Sequence, residues 1–445
     1  MRGIFTALIL CRAALAATTW TAMYMDETKV GYSYTTREVI AGGDDAGGTY
    51  IEDYSTMQLS RAGMPMLTSA RHRETYDAAG RMTAATCYTI SGTDVLIVNA
   101  ALAGDVLEVE RIQGLSVGKR YLEGGLVGTL GFSLVMDDLG PGESLDFSLY
   151  SSDYSEVIRV TYTRGVPGEV TFGGETFPGR VDEVNFAGMP RESYYDAAGE
   201  WLGTLLPGGT SVRPAADEAD AKAGLTWVDP AATTALFPEG DIPNPRGTER
   251  LVLLIEGTSP PPADPFQRVE TAGDGAWRVT VRNRPFPTYP PPEPFPEPEY
   301  HRALEELAEA LTVEGDPYNT YLNIVGWVGE YLRESPVTLE LTPAETLVQR
   351  RGDCTEHAAL VSDLCRRAGI PAITVIGLVS GVGGKLYYHA WNEAYVDGLW
   401  RASDAFLDEE VADAARLVLL RDPTGVERTT VLGRVTGVVV EEVEP

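Results

Sequence analysis

Between about Val30 and Leu225, apolar and polar residues alternate in short runs broken by Gly, Asp and Pro, a pattern of half-buried strands. Val30–Val39, Thr49–Leu59, Asp94–Val98, Val106–Ile112 and Glu156–Thr163 are the clearest of these, with only a short helical pattern around Ala215–Ala223. One motif recurs: Tyr76-Asp77-Ala78-Ala79-Gly80 and Tyr195-Asp196-Ala197-Ala198-Gly199 each place an Asp-Ala-Ala-Gly turn after an aromatic strand. That is hairpin chemistry, with the glycine at positive φ. Arg250–Glu256 and Trp277–Asn283 predict further strands. Residues 285–299 then become a proline-rich run, read as an extended, semi-rigid linker. Beyond it the period turns helical, with Leu304, Leu307, Ala308 and Leu311 on one stripe and Tyr321, Ile324, Val325, Val328 and Leu332 on the next.

These changes of period divide the chain into a β-rich N-terminal domain (17–225), additional strands forming a small β domain or extension (226–284), the linker (285–299) and a C-terminal α+β domain (300–445). A length of 445 residues is more than one core serves well. Residues 1–16 have a basic start, an apolar stretch from Ile4 to Leu10 and a small-residue Ala14-Leu15-Ala16, the outline of a signal peptide. The mature protein is therefore expected to be exported, to a periplasm or the extracellular space. No later stretch is long and apolar enough to span a bilayer as a helix.

A formal charge of −30 repels polyanions, so nucleic acid and anionic membranes are set aside as partners. No loop has calcium-ligand spacing, and no second Cys or His pair joins Cys354 and Cys365 in a zinc knuckle, so the expected metal and cofactor complement is none. Once Cys11 is removed with the leader, Cys87, Cys354 and Cys365 remain, an odd number that leaves at least one thiol free. His72 and His301 read as surface residues.

Candidate chemistry gathers in the last third. Asp353 and Glu356 form a capping-box pattern that opens a helix at Cys354 and ends at Gly369 and Pro371. A thiol in the first turn faces free N–H groups and the positive end of the helix dipole, conditions that favour the nucleophilic thiolate. Cys354, Ala358, Val361, Cys365 and Ala368 share one helical face by spacing. Ala372–Val379 then predicts an apolar strand, and Asp397-Gly398 the turn of a hairpin whose register pairs 396 with 399. His389 and Asp404 become diagonal cross-strand neighbours in that register, on one face and within hydrogen-bonding reach. The three form a triad: Cys354 as nucleophile, His389 as base and acid, Asp404 as orienting carboxylate. The Cys354 N–H supplies half of an oxyanion hole, with Gln349 as a candidate second donor. His357, three residues along the helix, and Trp391, beside His389 on its strand, are candidate supports.

Gly352-Asp353-Cys354-Thr355-Glu356-His357-Ala358, Ala368-Gly369-Ile370-Pro371-Ala372, His389 through Trp400, and Asp404 together resemble the core of the bacterial transglutaminase-like superfamily. Ala405 departs from the proline often found after the acid. The resemblance covers roughly residues 300–445 and implies a papain-like fold, acyl transfer through a thioester and a peptide or protein substrate. Proteases, cross-linking enzymes, deamidating enzymes and inactive members share that core. The expectation is thus a cysteine protease or acyltransferase, and the alternative a non-catalytic cell-envelope binding or scaffolding protein.

Overall fold

The computed structural model describes residues 17–445 apart from 44, 62–63, 115, 124–126, 132–138, 288, 291, 293–297, 336–338 and 424. The expected signal peptide lies outside the described residues. The chain forms two compact units, one of residues up to 233 with 425–430, the other of 234–424 with 431–445.

The first unit is β-rich, as its alternation demands. Its strands form a 15-stranded antiparallel sheet in which most sequence neighbours are also spatial neighbours. Ala17–Met25 and Thr210–Ala215, the first and last of these strands, lie side by side, with Trp20 opposite Ala215. Alternation is plain in Met82–Ser91, where buried and exposed positions interleave. The two Asp-Ala-Ala-Gly turns are built alike. Asp77 Oδ1 accepts from the N–H groups of Ala79 and Arg81, and Asp196 Oδ1 from those of Ala198 and Glu200. Gly80 and Gly199 sit at φ 80° and 84°, a conformation that costs glycine little.

The second unit is α+β. One antiparallel sheet runs Leu399–Ser403, Leu386–Val396, Ala372–Ser380, Arg416–Arg421 in spatial order. The other runs Gln267–Gly273, Ala276–Arg282, Arg250–Gly257, Val435–Glu444, so the strands of region 226–284 take their fourth partner from the chain's C-terminus. One apolar cluster joins the two sheets: Leu251, Leu253, Ile255, Val279 and Val438 pack with Leu378, Ala390 and Leu417. Helices Arg302–Leu311, Pro317–Tyr331 and Pro343–Gln349 pack with helix Cys354–Arg367, and a second cluster around Leu304, Tyr321, Val325, Leu360 and Leu364 fills that side.

The proline-rich run is not a free spacer where it is described. Phe286 is buried, with the guanidinium carbons of Arg268 and Arg282 lying 4.2 and 5.4 Å from its ring centroid. The Trp400 indole donates to the Pro290 carbonyl at 2.9 Å. An aromatic ring gains more from burial than from standing out in an extended linker.

Candidate active site

Helix Cys354–Arg367 begins as its sequence dictates. Asp353 Oδ1 accepts from the Thr355 N–H at 2.9 Å, and Glu356 Oε2 accepts from the Asp353 N–H at 3.0 Å. Cys354 is therefore the first helical residue, a half-buried free thiol at the positive end of the helix. The expectation of a single buried face is too narrow. Leu360 and Leu364 are buried along with Ala358, Val361 and Cys365, because the helix lies between the other helices and strands Ala372–Ser380 and Leu386–Val396. Asn392 fastens it to the sheet, its amide donating to the Ala358 carbonyl at 2.7 Å and to Ser362 Oγ at 2.8 Å.

The hairpin has the register that Asp397-Gly398 implies, Val396 opposite Leu399 and Asn392 opposite Ser403, with both turn residues at positive φ. Asp404 leaves the ladder immediately afterwards and forms an isolated bridge with Glu409. His389 Nε2 lies 2.7 Å from Asp404 Oδ2, which leaves Nδ1 as the ring nitrogen available to the thiol. Burial pushes His389 down, but the Asp404 carboxylate and the Cys354 sulfur outweigh it, the latter also as a hydrogen-bond partner, and hold the imidazole up at about 10. Burial likewise pushes Asp404 up, but His389 and Arg416 together hold its carboxyl well below the usual range.

Arg416 escaped the sequence reading. Only 3% exposed, it donates from Nη1 to Asp404 Oδ2 at 2.7 Å and from Nη2 to Glu409. Asp404 Oδ1 is taken by the N–H groups of Phe406 and Leu407, both at 3.1 Å, so the carboxylate is held by four donors. Arg246 closes the outer side of this network, bonding Glu409 at 2.7 Å, Asp413, and the Ser380 carbonyl at 2.8 Å. The available signal was an arginine opening the apolar run Leu417-Val418-Leu419-Leu420: a buried cation needs anions around it.

The other candidates separate. His357 is buried, its Nδ1 2.7 Å from the Asp353 carbonyl and its ring edge-on to Phe406 at 5.3 Å. Burial pushes its pKa down, so it sits there neutral. Trp391 stacks near His389 with centroids 6.4 Å apart, and the Arg416 guanidinium covers its ring at 5.4 Å. Gln349 ends helix Pro343–Gln349, and its side-chain oxygen accepts from Arg351 at 2.9 and 3.1 Å. That helix was also missed, although Thr342-Pro343-x-Glu345 spells its capping box.

Residues 305–405 match the family described as the Transglutaminase-like superfamily. This segment is a transglutaminase-like core. Kyphoscoliosis peptidase from Mus musculus and that from Homo sapiens are each 31% identical over 70 residues, 14% of this chain. The chain spans only 11% of the length of these relatives. Among solved structures, a beta-barrel-like protein of a domain of unknown function from Brucella abortus matches 45% of this chain and 96% of its own, at 12% identity and TM-score 0.33. Legionella pneumophila LapG matches 27% of this chain and 81% of its own, at 14% identity and TM-score 0.19. The C-terminal part of the chain thus carries a transglutaminase-like domain.

Proposed function

We propose that the protein is an exported cysteine enzyme that transfers the acyl group of a peptide or protein amide through a thioester on Cys354. The observation that supports this most is the 2.7 Å contact of His389 Nε2 with Asp404, made by an imidazole that also interacts with a thiol at a helix N-terminus. With the proton on His389, the Cys354 sulfur attacks the amide carbonyl, and the Cys354 N–H faces the developing oxyanion. The C–N bond breaks as His389 gives its proton to the leaving amine. Water or a second amine then attacks the thioester, His389 takes the incoming proton, and Cys354 is regenerated. Asp404 holds the ring in the tautomer this requires.

The test is incubation of the full chain with fluorescent protein substrates, with and without a labelled primary amine, against Cys354→Ser. New termini mark hydrolysis, and incorporated label marks transfer to an amine. Loss of both in Cys354→Ser supports the reading. No turnover together with ordinary slow alkylation of Cys354 would favour a non-catalytic envelope protein. Export is tested separately, by fusing the first 30 or so residues to a reporter active only outside the cytoplasm.

A further inference from the structure

His72 is not a surface residue. It is 4% exposed, in strand Met64–Tyr76, and the register sets it directly between Asp53 and Cys87 on the neighbouring strands. Strand alternation turns all three inward. Asp153 reaches the same spot from the turn that follows strand Ser144–Ser151, at the opposite end of the sheet. The His72 Nε2 atom lies 3.3 Å from Asp153 Oδ1 and 3.7 Å from Cys87 Sγ, and one ligand atom from each residue falls within 4.8 Å of the others.

We propose that His72, Cys87 and Asp153 form a binding site for a divalent transition metal of borderline softness, of which Zn²⁺ fits best. Four lines of argument meet here. One imidazole nitrogen carries at most one proton, which it can only share between the Cys87 sulfur and the Asp153 carboxylate that face it, whereas a cation accepts lone pairs from all three. Bond lengths of about 2.0–2.3 Å at tetrahedral angles put ligand atoms roughly 3.3–3.7 Å apart, the separations seen around Nε2. A thiolate and a carboxylate together neutralise a 2+ ion, which suits a buried place in a medium of low polarity. Nearby, the Tyr150 hydroxyl is fully buried, with the Ser152 side chain beside it. Tyr150 senses the charges of Cys87 and Asp153, and an ion with a water in the fourth position gives its hydroxyl a further partner. The Thr89 hydroxyl, 3.3 Å from Cys87 Sγ, is placed to donate to the bound thiolate. Binding displaces the thiol proton to solvent and pins the 152–155 turn onto strands further along the sheet.

The decisive experiment uses the full-length chain carrying Cys354→Ala, so that the Cys354–His389–Asp404 set cannot hold the probe through its thiol. Chelator-stripped protein is titrated with Co²⁺, then with Zn²⁺. A thiolate-to-cobalt absorption band that saturates at about one equivalent, disappears on adding Zn²⁺ and is lost in Cys87→Ser is the expected result. Zn²⁺ should also raise the melting temperature of the stripped protein, and that of the Asp153→Asn form less. Absence of the band, or a band undiminished by Cys87→Ser, overturns the proposal and leaves a metal-free hydrogen-bonded trio. Should Cys87→Ser fail to fold, Asp153→Asn decides instead: cobalt affinity weakened tenfold or more supports the site, and unchanged affinity sinks it.

Discussion

Asp404 stands one residue beyond the last ladder pair of its hairpin, Asn392 with Ser403, yet its Oδ2 lies 2.7 Å from His389 Nε2. The strand has ended, so the carboxylate is aimed by its four donors rather than by the sheet. Asp404→Asn keeps the shape and removes the charge. If the proposed chemistry operates, kcat falls by on the order of 10⁴, by analogy with the same substitution in a serine protease triad. The pH profile supplies a second readout. With Asp404 ionised, His389 keeps its proton up to about 10, and the basic limb of activity should lie there. In Asp404→Asn one of the two groups that outweigh burial loses its charge, and the limb moves to lower pH.

Arg416→Met should cost stability more than most single changes. It leaves Asp404, Glu409 and Asp413 with fewer compensating cations, and breaking a buried ion pair typically costs about 3–5 kcal/mol. Urea denaturation at neutral pH measures this. A variant indistinguishable from the parent would show that the network is not needed to hold the carboxylates.

Asp353→Ala removes the cap under Cys354 and should cost about 1 kcal/mol, while Asp353→Asn retains most of that. Comparison of the two by thermal melting separates the capping bond from the charge. Equal losses would count against the cap.

Gly377 faces His389 directly across the sheet. A Cβ there would lie 1.9 Å from the Leu417 carbonyl oxygen and 2.9 Å from Trp391 Cη2. Gly377→Ala must therefore part strands Ala372–Ser380 and Arg416–Arg421, which carry the support for Asp404. A loss of about 1–3 kcal/mol is expected from such overpacking, with kcat reduced more than KM is raised. An unchanged melting curve would show that the strands separate freely.

What the sequence made legible is what short-range chemistry encodes. Asp353 with Glu356 announces the start of the Cys354 helix, and Asp397-Gly398 sets the hairpin register that runs to Asn392 and Ser403, one residue short of Asp404. Arg416 was opaque because its partners Asp404, Glu409 and Asp413 are brought to it by an irregular turn that has no periodicity to read. The same holds for His72, Cys87 and Asp153, whose meeting depends on how strands far apart in the chain are placed. A polar residue in an alternating strand has no sign saying which face will be covered, and His72 was misjudged for that reason.

The docked proline-rich run and the shared core of Leu251, Ile255 and Leu378 bear on where the molecule can be cut. A fragment opening at residue 300, just ahead of the matched segment 305–405, would discard Phe286, the Pro290 acceptor of Trp400, and three of the four strands that back Leu378 and Ala390. Such a truncation should aggregate when expressed, whereas one starting near Thr234 and running to the C-terminus keeps these surfaces covered.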